Sequence, residues 1–248
     1  MNEMNELEIN REFDSSEAVI DFKRNAAFFD KEKNKKLSTW LAIAWTVAII
    51  GGILTLFVML DGFRYRWLMV PAWLILGVGV LMLLTLLPKV VKESEITEVF
   101  KTKSRLFRDI IVDKLEYPSD MATMSMDFMG CVVTDENCKD LRKLKSGNYV
   151  DSEMKETFIY INNKKRLLYI AVEDYSLIEE KDSYFYTEIP FDHFDKAEIV
   201  SSELKNGVKI SDFVISKDGE PIFKSPISNL DYYKEEFMNT IEHFRSSR

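Results

Sequence analysis

The sequence predicts an α+β protein: a two-helix transmembrane hairpin, then an antiparallel β meander that ends in a C-terminal amphipathic helix. Three observations predict it. Two uncharged stretches, Leu37 to Leu60 and Trp67 to Pro88, flank the short polar segment Asp61 to Arg66. From Thr157 onward apolar residues run in short blocks or alternate between turn residues, as strands do. The last stretch returns to helical spacing, with Leu230, Tyr233, Phe237, Ile241 and Phe244 on one face. The elements divide the chain into an N-terminal segment (1–36), a first span (37–60), a loop (61–66), a second span (67–88), a linker helix (89–120) and a β domain with its terminal helix (121–248).

Each uncharged stretch exceeds the roughly 20 apolar residues needed to cross a bilayer core. Beyond Ser38, Thr39, Thr46, Thr55 and Thr85 they carry no polar side chains, so neither has the polar stripe of a buried soluble helix. The chain of 248 residues is 46% hydrophobic and yet 30% charged, because its apolar residues are concentrated in the two spans. Lys23, Arg24, Lys31, Lys33, Lys35 and Lys36 precede the first span, and Lys89, Lys92, Lys101, Lys103, Arg105 and Arg108 follow the second. The connecting loop has only Arg64 and Arg66, partly offset by Asp61. Lys and Arg mark the cytoplasmic side, so both termini are expected there, at the cell (inner) membrane. The acidic start, with Glu3, Glu6 and Glu8, argues against a cleaved signal peptide. Trp40, Phe63, Tyr65 and Trp67 stand where amphipathic rings favour the interface. Pro71 falls in a first helical turn, and Pro88 closes the second span.

Within the first span Ala44, Ala48 and Gly52 recur every four residues, a spacing that lets helix backbones approach closely. They serve packing against the second span or oligomerisation of the chain. No ionisable residue lies inside either span, which disfavours a transporter and leaves a simple pore open. Before the first span, Asp14 and Glu17 read as a helix start, with Val19, Phe22, Ala26 and Phe29 following at helical spacing. That helix lies on the inner leaflet or packs on the soluble domain. After the second span, Ile96, Val99, Phe100, Leu106, Phe107, Ile110, Ile111 and Leu115 form a stripe expected to dock on the domain beyond. Met121, Met124, Met126 and Met129 are expected to fill core gaps or a flexible join.

Thr157 to Ile161 and Arg166 to Val172 read as a hairpin around Asn162 to Lys165, and Tyr184 to Ile189 as the next strand, stopped by Pro190. Ala197 to Leu204 and Val208 to Ser216 bracket Asn206-Gly207, a strong hairpin signal. Asp218-Gly219 turns the chain into Pro221 to Lys224, and Met126 to Thr134 adds an earlier strand. Ser228 and Asp231 form a capping box for the final helix.

These strands, with Ile189-Pro190-Phe191 leading into Ala197-Glu198-Ile199-Val200, the Asn-Gly hairpin and the terminal helix, resemble the bacterial pleckstrin-homology-like (PH-like) domains. The resemblance covers about Thr157 to Phe244. It implies a partial barrel closed by the helix, and a binding or scaffolding module in place of a catalyst. In lipid-binding members of the wider superfamily the first hairpin turn is basic, and Lys164, Lys165 and Arg166 stand there as a possible headgroup contact. The surrounding acidic residues, among them Glu173, Asp174, Glu179, Glu180 and Asp182, oppose an anionic leaflet.

No motif for chemistry emerges. His193 between Asp192 and Asp195 has no partner motif, and His243 lies on the outer side of the last helix. Cys131 and Cys138 fit no zinc spacing. Neither a phosphate loop nor a nucleophile elbow is present. The expectation is no enzyme, no catalytic or metal-binding residue and no cofactor. A net charge of −8 disfavours nucleic acid as a partner. The partners expected are membrane lipids and a protein, or a second copy of the chain. The function expected is a membrane-anchored cytoplasmic scaffold; the alternative is a self-associating, pore-forming or membrane-perturbing effector.

Overall fold

The computed structural model describes residues 5–6, 20–60, 66–114, 125–133, 141–145, 147, 149–162, 164–204, 207–227, 239 and 241. The expected helix start at Asp14 lies outside them, as do Met121 and Met124 and most of the C-terminal helix. Of that last helix, Asn239 and Ile241 are helical, and Ile241 is buried in the core of the β domain. The fold mixes helices with antiparallel sheet, and contacts divide it into two units, Arg24–Glu95 and the rest.

The first unit is an apolar helical hairpin. Helix α1 (Phe22–Phe29) leads into α2 (Lys31–Leu60), and α3 (Met69–Leu86) returns between short 3-10 turns at Arg66–Leu68 and Leu87–Lys89. Both α2 and the helical run containing α3 are long and apolar enough to cross a membrane. Asp30 starts α2 by accepting the Lys33 N–H at 2.9 Å. Threonine hydroxyls along the helices bond to their own backbone, as Thr46 does to the Ala42 carbonyl and Thr55 to that of Gly51, so each of these donors is satisfied within its helix.

Helices α2 and α3 meet along buried Ala44, Gly51, Thr55 and Val58 on one side and Ala72, Gly79 and Leu83 on the other. Alternating steps of three, four and seven are the 3-4 packing of left-handed coiled coils. Two glycines bring the backbones together: a Cβ on Gly51 would stand 2.4 Å from the Leu76 nitrogen, and one on Gly79 2.5 Å from that of Ala48. At the base, Arg24 grips Glu95 through Nε (2.6 Å) and Nη2 (3.1 Å) and donates to the Pro88 carbonyl. That contact holds the Glu95 carboxyl below its ordinary range.

The second unit holds two antiparallel sheets. The larger orders β1 (Asn5–Glu6), β7 (Asp182–Pro190), β6 (Leu167–Ser176), β5 (Glu153–Asn162) and β2 (Ser125–Cys131). The smaller orders β10 (Glu220–Ile227), β9 (Lys209–Lys217) and β8 (Lys196–Glu203), and a two-stranded ribbon pairs β3 (Arg142–Lys143) with β4 (Tyr149–Val150). Among the described residues no sheet closes on itself. The expected run of strands breaks after β7, where Pro190 ends the ladder and a 3-10 turn, Phe191–His193, carries the chain into the second sheet. Phe191 and Phe194 plug that corner edge to face, 6.2 Å apart.

One face of the larger sheet packs on the smaller one. Ile159, Ile161, Leu168, Ile170, Val172 and Ile189 meet Phe213, Ile215, Phe223 and Ile227 there. A buried hydroxyl pair, Thr157 and Ser225 at 2.6 Å, links the sheets. The opposite face lies under helix α4 (Glu93–Lys114), whose Phe107 and Ile111 pack on Ala171, Phe158 and Tyr184. Cover on both faces explains why β5 and β6 read as nearly continuous apolar runs.

Candidate functional site

Under α4 the apolar packing gives way to a polar cluster. Glu156 on β5 and Glu173 on β6 are direct antiparallel partners, so both side chains leave the same face of the sheet side by side. They are 1% and 0% exposed, as buried as the isoleucines of the core. Tyr175, two residues on from Glu173, and its partner Asp182 on β7 extend the row. From above, α4 lowers Lys103, Ser104 and Arg108 onto it. The Lys103 ammonium, itself buried, pairs with Asp182 at 2.5 Å, and the Ser104 hydroxyl donates to Glu156 at 2.6 Å. Arg108 pairs with Asp127 on β2 in a more exposed position.

Three carboxyls thus share one buried ammonium, and for the two glutamates desolvation is the dominant influence. Burial pushes the Glu173 carboxyl up to about 8, helped by the charges of Asp182 and Glu156 and opposed by Lys103 and the nearby Tyr184 hydroxyl. Burial also raises Glu156, against the pull of Ser104 and Arg108, and drives the Tyr175 phenol well above its ordinary value. Among the described residues, neither Glu173 oxygen has a hydrogen bond of ordinary geometry, and neither does the Tyr175 hydroxyl. No group of His, Cys, Asp and Glu among the described residues is arranged to hold a metal ion.

The residues singled out in the sequence lie elsewhere. Lys164, Lys165 and Arg166 are exposed at the tip of the β5–β6 hairpin, where Arg166 adopts a left-handed φ of 53°. Lys165 reaches the Tyr169 hydroxyl at 3.2 Å and Arg166 lies over the Phe191 ring. His193 and Asp192 are exposed, and Asp195 accepts the Asp218 N–H at 2.6 Å, so this segment is built around its two phenylalanines. Ala44 and Ala48 line the helical seam, whereas nothing lies within 4 Å of where a Gly52 side chain would project. Cys131 is a buried thiol donating to the Tyr149 carbonyl, beside a cavity of about 160 Å³ that Leu141, Ile210 and Pro226 help to line. Cys138 and His243 lie outside the described residues.

The β domain also presents an edge. Strand β8 pairs with β9 on one side, and among the described residues no strand pairs with its other side. Ser201, Ser202 and Glu203 along it are exposed, and so is Val200 at 43%.

No protein-family model, curated protein or solved structure matches this chain.

Proposed function

We propose that the chain is a two-pass protein of the cell (inner) membrane, with both termini in the cytoplasm. Its β domain is then a scaffolding module that holds a protein partner, or a second copy, at the inner membrane surface. The observation that carries the reading is the outward surface of the apolar hairpin. Trp40, Ile49, Ile53, Leu56, Trp67, Val70, Leu74, Leu81 and Leu84 are each more than half exposed. On a water-soluble protein such a surface drives aggregation; in a bilayer it meets acyl chains at no penalty. The lysines and arginines flanking the spans supply the orientation. The PH-like likeness belongs to this reading, which takes the two sheets and the helical Ile241 as parts of an open barrel. The edge of β8 supports the binding role, because unpaired backbone groups accept an added strand.

Two measurements test it. Thiol labelling of intact cells carrying Gly62→Cys or Gly207→Cys, in a background lacking native cysteines, reads the topology. Labelling at 62 alone is expected, and labelling at 207 overturns the orientation. Extraction in native lipid discs then gives the mass and composition of the assembly. A stoichiometric second protein, or a second copy, is expected. Val200→Pro and Ser201→Pro are compared there, since adjacent strand residues point their N–H groups to opposite sides. The proline that keeps the β8–β9 ladder is expected to abolish the association, and retention by both variants removes the β8 edge from the reading.

A further inference from the structure

We propose that helix α4 is held on the larger sheet by a proton: with Glu173 neutral the helix stays seated, and ionisation of Glu173 beside Glu156 loosens it. The argument is one of charge and geometry. Beneath α4 the sheet presents Glu156, Glu173 and Asp182, and the helix answers with one buried cation, Lys103, already in contact with Asp182. The remaining groups that face Glu173 do not compensate it. Tyr175 beside it on β6 is a neutral phenol, and Tyr184 across on β7 offers one hydroxyl. From α4, Ser104 is spent on Glu156 and Arg108 on Asp127, while Phe107 and Ile111 fill the rest of the interface. Cys131, at the end of β2, bears on Tyr175. If all three carboxyls were charged, the seated helix would enclose an uncompensated charge, which a low-dielectric interface does not tolerate. Lifting α4 returns Glu156 and Glu173 to water, where both ionise freely.

The device has a defined place in the chain. Helix α4 begins within the hairpin unit and continues in the domain unit, so it is one of the two covalent connections between them, the other lying at Lys23–Arg24. A loosened α4 lengthens and frees that connection.

Hydrogen exchange of the full-length protein in lipid discs tests the proposal, read on peptides covering 96–112 from pH 6 to 9. Exchange times are rescaled for the intrinsic base catalysis of exchange. Strands β9 and β10 serve as the internal reference. Because a proton is bound in the seated state and released in the open one, protection of α4 is expected to fall by up to about tenfold per pH unit and to level off above about pH 8. Glu173→Gln is expected to remove the slope. Glu156→Gln takes away a like charge and is expected to bring the levelling to lower pH; it decides the matter if the first variant fails to fold. A flat rescaled profile in the wild type, or equal slopes in wild type and variants, overturns the proposal.

Discussion

Adding a methyl group to each of four glycines separates two ways of using the hairpin. At Gly51 the new Cβ would stand 2.4 Å from the Leu76 nitrogen and 2.6 Å from its Cα. At Gly79 it would stand 2.5 Å from the Ala48 nitrogen and 2.7 Å from its Cα. Non-bonded heavy atoms settle near 3.5–4.0 Å, so the helices must part by about 1 Å or more. Backbone, unlike the end of a flexible side chain, cannot swing aside. Overpacking of this kind costs about 1–3 kcal/mol, and the close contacts along the rest of the seam weaken with it. Gly52 and Gly77 have nothing within 4 Å, so alanine there meets no neighbour. It gains helix propensity of up to about 1 kcal/mol. The assay follows from composition: all four tryptophans, Trp40, Trp45, Trp67 and Trp73, lie in the hairpin unit. Tryptophan emission during denaturing-detergent titration in mixed micelles therefore reports this unit alone. Gly51→Ala and Gly79→Ala are expected to lower the midpoint, Gly52→Ala and Gly77→Ala to leave it or raise it. Equal effects at all four positions would refute the seam. A loss confined to Gly52→Ala would place the working contact on the other face and favour self-association.

Further outcomes follow from the β domain and the hairpin base. Phe213 is fully buried between Phe128 and Phe223, so Phe213→Ala is expected to destabilise by about 3–5 kcal/mol in denaturant unfolding. A Cβ on Gly130 would fall 2.3 Å from the Pro226 carbonyl, so Gly130→Ala is expected to force β2 from β10 and lower the thermal midpoint of the domain. The folded-state value of Glu173 is raised above its unfolded one. Its contribution is therefore fully present below about pH 4.5 and is lost as pH rises to about 8. Domain stability should fall by up to about 1.4 kcal/mol per pH unit within that window, and Glu173→Gln should flatten the curve. The Arg24–Glu95 contact is partly exposed, with side chains 40% and 33% accessible, so Arg24→Ala should change hairpin stability by less than about 1 kcal/mol, an effect that added salt diminishes.

What the sequence made legible and what it hid have the same physical origin. Element type was readable wherever one solvent faced one side. The uncharged runs became α2 and α3, and the chain between β8 and β9 turns at Gly207, with a φ of 79°. The helical seam was harder, because a small-residue pattern does not say which helix it meets. A four-residue step such as Ala44, Ala48, Gly52 drifts by about 40° per step, whereas the seven-residue step of Ala44, Gly51 and Val58 drifts by about 20°. The seven-residue step therefore stays on the partner over more turns, and Gly51 takes the place that Gly52 occupied in the local pattern. The acidic pair was hidden for a different reason. Glu156 and Glu173 become neighbours only through the β5–β6 register, and reading β5 as starting at Thr157 left Glu156 outside the strand. A signal was nevertheless present. Glu156 is in phase with Phe158 and Tyr160, and Glu173 with Ala171, on strands whose opposite face carries Ile159, Ile161, Leu168, Ile170 and Val172 into the core. Lys103 and Ser104 sit between Phe100 and Phe107 on the stripe of α4, and both meet carboxyls of the sheet. When a polar residue falls in phase on a covered strand and another falls in phase on the helix that covers it, the two interruptions mark each other. Here they locate an interface where burial of charge weighs on whether the elements stay together.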